Sequence, residues 1–110
     1  MDITFSDKNL RKCANDDTYA RKRLGALRAR LFKQRLDDMA ASESLEDLRY
    51  MPGKFHELTK NRKGQWACHL DGSYRLIFTP HENPVPVSPQ GIFIWAEIKG
   101  VEIIEIKDYH

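Results

Sequence analysis

The chain has 110 residues, and its 18 lysines and arginines stand against 16 aspartates and glutamates, which leaves a net charge of +2. This length is typical of one domain with a small core, and the balance of 41% hydrophobic to 31% charged residues excludes an intrinsically disordered chain. No apolar run has the pattern of a signal peptide or a membrane span. Cys13 and Cys68 lack metal or redox spacing, so we expect both to be reduced and structural, in a cytoplasmic protein.

The first half of the sequence predicts a short strand followed by helices. Residues 2–5 alternate as a strand does, and Ser6 or Asp7 can cap a short helix that runs to about Ala14. A longer helix is predicted over residues 19–41. Its apolar positions, at helical spacing, are Ala20, Leu24, Leu27, Leu31, Phe32, Leu36 and Met39.

Basic side chains fill most of the other positions of this predicted helix. They are Arg21, Lys22, Arg23, Arg28, Arg30, Lys33 and Arg35. No acidic residue occurs between Thr18 and Leu36. Such a face is either simply solvated, or it meets an acidic partner such as RNA phosphate or an acidic protein segment. The sequence leaves these interpretations open.

A short helix and a hairpin are predicted next along the chain. Ser44 and Asp47 have the spacing of a capping box, and residues 51–53 (Met-Pro-Gly) end the helix that it starts. Two alternating segments then flank Asp71-Gly72, which indicates a two-residue hairpin turn. Burial of the Tyr74 side of the second strand would point Arg75 to the other face.

The rest of the chain predicts a loop and two more strands. Residues 79–90 hold four of the five prolines, so they form a loop that cannot pair inside a sheet. Residues 92–98 and 101–106 are rich in branched apolar side chains, which is typical of strands, with a tight connection at Lys99-Gly100. The order of a strand, helices and four strands predicts an α+β domain whose antiparallel sheet is covered on one face by helices. At strand period, Trp66, Tyr74, Phe78 and Trp95 are predicted core residues, and His69 and His81 are predicted surface residues.

Several segments, in a fixed order, carry a resemblance to a known family. They are Phe-His-Glu-Leu at 55–58, Asn-Arg-Lys-Gly-Gln-Trp at 61–66, Tyr-Arg-Leu-Ile-Phe at 74–78, Val-Glu-Ile-Ile-Glu-Ile at 101–106, and Asp-Tyr-His at 108–110. Together they resemble a HigB-type toxin of the RelE/ParE superfamily, closely over residues 44–110 and only in layout before that. The resemblance implies one toxin domain over residues 1–110, with an N-terminal strand and helical hairpin packed on a small, twisted, antiparallel-rich sheet.

The resemblance also implies an activity and partners. Such a toxin is a metal-independent, ribosome-dependent mRNA endoribonuclease that inhibits translation and needs no cofactor. Its implied partners are the ribosome, mRNA and a cognate helix-turn-helix antitoxin of the HigA type, through which the pair binds promoter DNA. No membrane partner is implied. One departure is Thr59, where the family usually has a lysine, with Lys60 in place of the glycine that follows it.

A non-cleaving binding module is the alternative function. The same fold can act as a gyrase poison, or as an inactive toxin that serves in antitoxin binding and promoter autoregulation. The ending Asp108-Tyr109-His110 favours the enzyme, whereas Thr59 favours the alternative.

Metal-free RNA cleavage requires a base for the 2′-hydroxyl, an acid for the departing 5′-oxygen, and cations for the charge that builds on phosphate. His110 can exchange a proton near neutral pH, and Asp108 can act as a base or orient a histidine. Arg75 can bind phosphate with two parallel donors, although an outward-facing arginine is often only solvated. The predicted catalytic set is His56, Lys60, Arg75, Asp108, Tyr109 and His110, and the predicted RNA-binding set is Lys54, Arg62 and Lys63. His56 either packs at the base of its loop or contacts RNA, and no cluster has the spacing of a metal site.

Overall fold

The computed structural model describes residues 1–109 and shows a five-stranded sheet with helices on one face. The helices and strands, in chain order, are β1 (Asp2–Phe5), α1 (Lys8–Asn15), α2 (Asp17–Leu24), α3 (Ala26–Ala41), β2 (His56–Glu57), β3 (Trp66–His69), β4 (Tyr74–Pro80) and β5 (Gly100–Asp108). Short 3₁₀ helices cover Leu45–Tyr50, Lys60–Arg62 and Trp95–Glu97. The strand order is β1-β5-β4-β3-β2; β1 runs parallel to β5, and the other neighbours are antiparallel. The predicted α+β, antiparallel-rich architecture is therefore confirmed.

The prediction of one continuous helix over residues 19–41 is wrong, because Gly25 divides this segment into α2 and α3. Gly25 has φ +85° and ψ 158°, a conformation that glycine adopts at low cost and other residues rarely adopt. The start of α2 is capped by Asp16, whose side chain accepts a hydrogen bond from the Tyr19 amide at 3.0 Å. The predicted cap of the first helix is confirmed: Asp7 accepts from the Asn9 amide at 2.7 Å.

The break at Gly25 also changes which helical face is buried. Phe32, Leu36 and Met39 are buried as predicted, but Leu27 is 50% exposed. Helical spacing predicts a single buried face only when the helix is continuous. Because the chain changes direction at Gly25, residues of α2 and α3 that share a spacing do not share a buried face.

Two of the predicted surface arginines hold the β3–β4 hairpin against α3. Arg35 is only 9% exposed, and its Nε donates to the His69 carbonyl oxygen at 2.8 Å. Arg28 donates to both carboxylate oxygens of Asp71 at 2.8 and 3.1 Å, and its guanidinium carbon lies 3.4 Å from the centre of the Tyr74 ring. These two side chains are therefore structural, whereas most of the other basic residues of α2 and α3 are exposed.

The hairpin turn at Asp71-Gly72 exists, but the predicted two-residue loop is wrong. The loop has three residues, 71–73, and the register places Cys68 opposite Leu76. A two-residue loop would have placed Cys68 opposite Arg75. Pairing Cys68 with Arg75 would shift the register by one residue, and such a shift moves every side chain of a strand to the opposite face of the sheet. The observed register instead keeps Cys68 and Leu76 together on the core face.

The predicted strand over residues 92–98 is also wrong. This segment forms a single bridge between Val87 and Phe93, followed by the 3₁₀ helix Trp95–Glu97. Trp95 is only 6% exposed, and its ring centroid lies 5.6 Å from that of Trp66 in an edge-to-face contact. The segment around Trp95 thus buries an aromatic ring and does not pair as a strand of the sheet. The edge of the sheet is formed by β2, a strand that the sequence analysis did not predict.

Two local predictions were only partly right. Ser44 precedes a 3₁₀ helix, but its side chain makes no capping hydrogen bond; its carbonyl oxygen accepts from the Asp47 amide at 3.2 Å. The proline-rich loop begins later than predicted, because Thr79 and Pro80 still pair with β5. Pro80 lies beyond the last residue of β4 that pairs with β3, so its missing N–H faces no strand.

The core lies between the helices and one face of the sheet. Trp66, Phe78 and Ile103 are fully buried there, which confirms the prediction for the first two. Ala67 and Ile77 are equally buried but belong to the opposite face of the sheet. No helix within residues 1–109 has the length and apolar character needed to cross a membrane.

Both cysteines are buried and unpaired. Burial raises the pKa of the Cys13 and Cys68 thiols, and nearby arginines offset this only in part. A raised pKa keeps a thiol protonated and unreactive. The structural role predicted for both cysteines agrees with these surroundings.

Replacing Gly53 should destabilise the protein. Gly53 has φ +112°, and a Cβ atom there would lie 2.6 Å from Nε of Arg35. We expect Gly53→Ala to lower the free energy of unfolding by roughly 2 kcal/mol or more, because a strained backbone and a steric clash add together. Gly72→Ala is the control, since φ is +53° and no atom lies within 4 Å; we expect a loss of about 1 kcal/mol there. Equal losses in urea denaturation would show that the contact with Arg35 is unimportant.

Candidate functional site

The candidate site lies on the sheet face opposite the helices. Across β2, β3, β4 and β5, His56 pairs with Ala67, His69 with Arg75, and Arg75 with Lys107. Residues that face each other across a sheet project to the same side, and so do alternate residues along one strand. The register therefore brings His56, His69, Arg75 and Lys107 onto one face. His69 and Lys107 were not among the predicted site residues.

Two histidines of this face contact each other. The ring centroids of His56 and His69 lie 6.1 Å apart in an edge-to-face arrangement. Nδ1 of His56 lies 2.7 Å from the carbonyl oxygen of Lys54. A carbonyl oxygen can only accept, so Nδ1 carries the hydrogen and Nε2 of the neutral ring is left as a base.

The surroundings of His69 favour its neutral form. Its burial lowers the pKa of the imidazole, and the positive charges of Arg75 and Lys54 lower the pKa further. The structure thus corrects the prediction that His69 is an ordinary surface residue. The sequence did contain a signal for this position. Pairing the apolar residues of β3 with those of β4, such as Cys68 with Leu76, would have placed His69 opposite Arg75.

Arg75 is half-buried and fixed near the hairpin turn. Its Nη1 donates to the carbonyl oxygens of Gly72 at 3.1 Å and Tyr74 at 3.0 Å. The predicted orientation of Arg75, away from the Tyr74 side, agrees with the strand register. Backbone contacts of this kind hold a guanidinium in place without a carboxylate to neutralise its charge.

The last residues of the chain place side chains on both faces of β5. Asp108 is the last residue of the strand and accepts a hydrogen bond from the Ser73 hydroxyl. The Tyr109 amide donates to the Ser73 carbonyl oxygen at 3.0 Å, its side chain is 44% exposed, and the Lys107 ammonium lies 5.7 Å from its ring centroid. Strand alternation puts Lys107 and Tyr109 on the side of the candidate site and Asp108 on the other. The predicted catalytic residue His110 lies outside the described residues.

The predicted basic loop surrounds the β2 edge. Lys54 and Lys60 are exposed, and both have positive φ angles, of 55° and 58°. Arg62 donates to Gln65 at 2.9 Å and to Glu105 at 3.2 Å, so part of its charge is already balanced.

Lys63 differs from Arg62 in its surroundings. Its ammonium lies 5.8 Å from the ring centroid of Phe93, on the side of β2 away from His56. The structure therefore separates the predicted RNA-binding residues: Lys54 lies near the histidines, and Lys63 lies near an aromatic cluster.

This arrangement has the groups needed to bind a phosphate and exchange protons. Arg75 and Lys107 supply positive charge, and Nε2 of His56 can accept a hydrogen bond or a proton. Within residues 1–109, no group of three or more His, Cys, Asp or Glu side chains is arranged to hold a metal ion.

Comparisons with known proteins agree with this fold. The family model described as the RelE-like toxin of type II toxin–antitoxin system HigB matches residues 3–87. The YoeB–YefM complex from Staphylococcus aureus contains a chain that is 17% identical, with a TM-score of 0.57, over 100% of this chain and 97% of that one. A YoeB/ParE toxin from Agrobacterium tumefaciens is 15% identical, with a TM-score of 0.48, over 100% of both chains. None of the curated protein sequences matches the chain.

The first of these structures shows a shared fold, and the family model extends over more than half of the chain. The helices on one face of a five-stranded, antiparallel-rich sheet agree with both findings. The chain therefore belongs to the HigB family of RelE-like toxins from type II toxin–antitoxin systems.

Proposed function

We propose that this toxin is a metal-independent, ribosome-dependent mRNA endoribonuclease that inhibits translation. The observation that supports this most strongly is the convergence of His56, His69, Arg75, Lys107 and Tyr109 on one sheet face. An acid–base group beside cations is the arrangement that metal-free cleavage of RNA requires.

The proposed reaction begins with removal of the 2′-hydroxyl proton by Nε2 of His56. The 2′-oxygen then attacks the adjacent phosphorus, and the bond from phosphorus to the 5′-oxygen breaks. Arg75 and Lys107 stabilise the negative charge on the non-bridging oxygens. The products are a 2′,3′-cyclic phosphate and a 5′-hydroxyl.

The departing 5′-oxygen must also receive a proton. His69 is poorly suited to donate it, since the lowered pKa keeps this ring neutral. We assign the donor of this proton to the end of the chain. The Tyr109 hydroxyl lies on the side of the site, and His110 follows it in the sequence. Asp108, on the other side of β5, orients this end through Ser73.

The proposal includes partners for the toxin. A cognate antitoxin of the HigA type, with a helix-turn-helix domain, is expected because the family consists of toxins of type II systems. The similar fold from Staphylococcus aureus belongs to a YoeB–YefM complex. Promoter DNA would be reached through the antitoxin, and the toxin itself would act on ribosomes in the cytoplasm.

Arg75→Ala should abolish cleavage without unfolding the protein. Removal of one positioned donor for developing charge typically costs 10²–10³-fold in rate, whereas a partly exposed arginine contributes about 0.5 kcal/mol or less to stability. Arg11→Ala, on an exposed position of α1, is the matched control. The measurement is the mapping of transcript 5′ ends after induction, together with growth arrest.

A folded Arg75→Ala variant that still cleaves at the parent's rate would contradict the assignment of this residue. Growth arrest by the parent without any new transcript ends would instead favour the non-cleaving binding module, and DNA damage would then indicate gyrase as its target.

The chemistry of the fragment ends should distinguish this mechanism from metal-dependent hydrolysis. Attack by the neighbouring 2′-oxygen leaves a cyclic phosphate or 3′-phosphate with a 5′-hydroxyl on the next fragment. We expect these ends when ribosome-bound mRNA is treated with the toxin and the fragments are probed by phosphatase and kinase labelling. Fragments that end in a 3′-hydroxyl would contradict the proposal. This readout avoids chelation, which would also disassemble ribosomes.

The stability of the toxin should depend on pH through His69. An unfolded histidine titrates near pH 6.5, and the pKa of folded His69 lies below its ordinary value. Between these two pKa values the unfolded state binds more protons than the folded state. The free energy of unfolding therefore decreases as the pH falls from about 6.5 towards the folded pKa, and it levels off below that pKa. His69→Gln should flatten this decrease in urea denaturation between about pH 7 and pH 5. His81→Gln, on an exposed loop, is the control; parallel curves for the parent and His69→Gln would contradict the prediction.

A further inference from the structure

A second concave site lies at the outer edge of β2, on the side away from the histidines. This concavity has a volume of about 430 Å³. It is distinct from a cleft of about 510 Å³ beside α1 and β5. The β2 concavity combines two aromatic rings with a lysine and a carboxylate. It is lined by Arg49, Glu57, Lys63, Ile92, Phe93 and Trp95.

The aromatic wall of this concavity is anchored in the core. The ring centroids of Phe93 and Trp95 lie 4.9 Å apart, and Trp95 packs edge-to-face on the fully buried Trp66. Phe93 itself is only half-buried. A Cβ atom at Gly64 would lie 3.9 Å from Cζ of Phe93, so the basic loop packs against this ring. The half-exposed ring is thus a supported, flat surface on which another planar group can stack.

Charged groups are arranged around this ring. Lys63 lies 5.8 Å from the centre of the Phe93 ring and forms no ion pair within residues 1–109. Arg49 is held by Glu46 at 3.0 Å and by Oε2 of Glu57 at 2.9 Å. Glu57 also lines the concavity, and the hydrogen bond from Arg49 uses only its Oε2.

The concavity is next to the proposed cleavage site. Glu57 follows His56 in β2, which is the edge strand of the sheet. Successive residues of a strand project to opposite faces, so only this strand separates the two sites. A single-stranded RNA that passes the histidines at the sheet edge can place a neighbouring nucleotide in the concavity.

We propose that this concavity is a nucleobase-binding subsite for RNA beside the cleaved bond. The base stacks on Phe93, Lys63 contacts a phosphate, and Oε1 of Glu57 accepts a hydrogen bond from an exocyclic amino group. Stacking on an aromatic side chain next to a cation is a common way to hold an unpaired base. The carboxylate favours adenine, cytosine or guanine over uracil, which lacks the amino group. This inference rests on the proposed ribonuclease function.

The direct test is a titration of the ¹⁵N-labelled toxin with CMP and with UMP, followed by NMR. We expect shifts at the amides of residues 91–93 and Lys63, with CMP bound more tightly than UMP. Phe93→Leu keeps an apolar side chain but removes the stacking surface, and should weaken CMP binding roughly tenfold. Glu57→Gln should reduce the preference for CMP. Tyr50→Leu, which removes an 80% exposed ring outside the lining of the concavity, is the matched control.

A comparison with cleavage separates this inference from the proposed function. We expect Phe93→Leu to change which positions of ribosome-bound mRNA are cut while the fragment ends keep their chemistry. If the parent cleaves but neither nucleotide shifts the loop amides, or if Phe93→Leu leaves both CMP binding and the cut positions unchanged, the subsite is overturned and the ribonuclease stands. If CMP binds and Phe93→Leu weakens it, but the parent cuts no RNA, the subsite stands and the proposed function is overturned.

Discussion

The architecture depends on one buried cation, the guanidinium of Arg35. Its Nε binds the carbonyl oxygen of His69, and it fills the space that a side chain at Gly53 would occupy. The amide of His69 in turn donates to the Gly53 carbonyl oxygen at 2.8 Å. A buried charge destabilises a fold unless its donors are satisfied, so these contacts constrain α3, the loop before β2 and the end of β3 together. They satisfy both backbone polar groups of His69, and strand geometry then directs its side chain to the face opposite the core.

The sheet separates packing from chemistry. One face carries the aromatic and aliphatic core under the helices, and the other carries His56, His69 and Arg75. Ala67 and Ile77 lie buried among these polar residues, so the candidate site rests on a close-packed surface. A site built on paired strands is held more rigidly than one built on loops alone.

The long connection between β4 and β5 adds a feature that the sheet does not require. A direct hairpin would join these antiparallel strands with a few residues, whereas residues 81–99 fold back and insert Trp95 against Trp66. This connection supplies Phe93 and Trp95, which lie beyond the region matched by the family model. The proposed base-binding surface is thus formed by a segment outside that match, whereas His56, His69 and Arg75 lie within it.

The sequence by itself determined the α+β order, a cap at Ser6 or Asp7 and the place of the hairpin, because capping, periodicity and turn residues are local signals. The family followed from the resemblance of several segments in a fixed order. The division of the long helix at Gly25 was also encoded locally, but the helical pattern on both sides concealed it. Only the tertiary structure decided that Arg28 and Arg35 bind the hairpin, that residues 92–98 pack instead of pairing, and that His69 and Lys107 join Arg75. These outcomes depend on strand register and on burial against residues distant in the chain, where free energy gained by apolar contact outweighs local propensity.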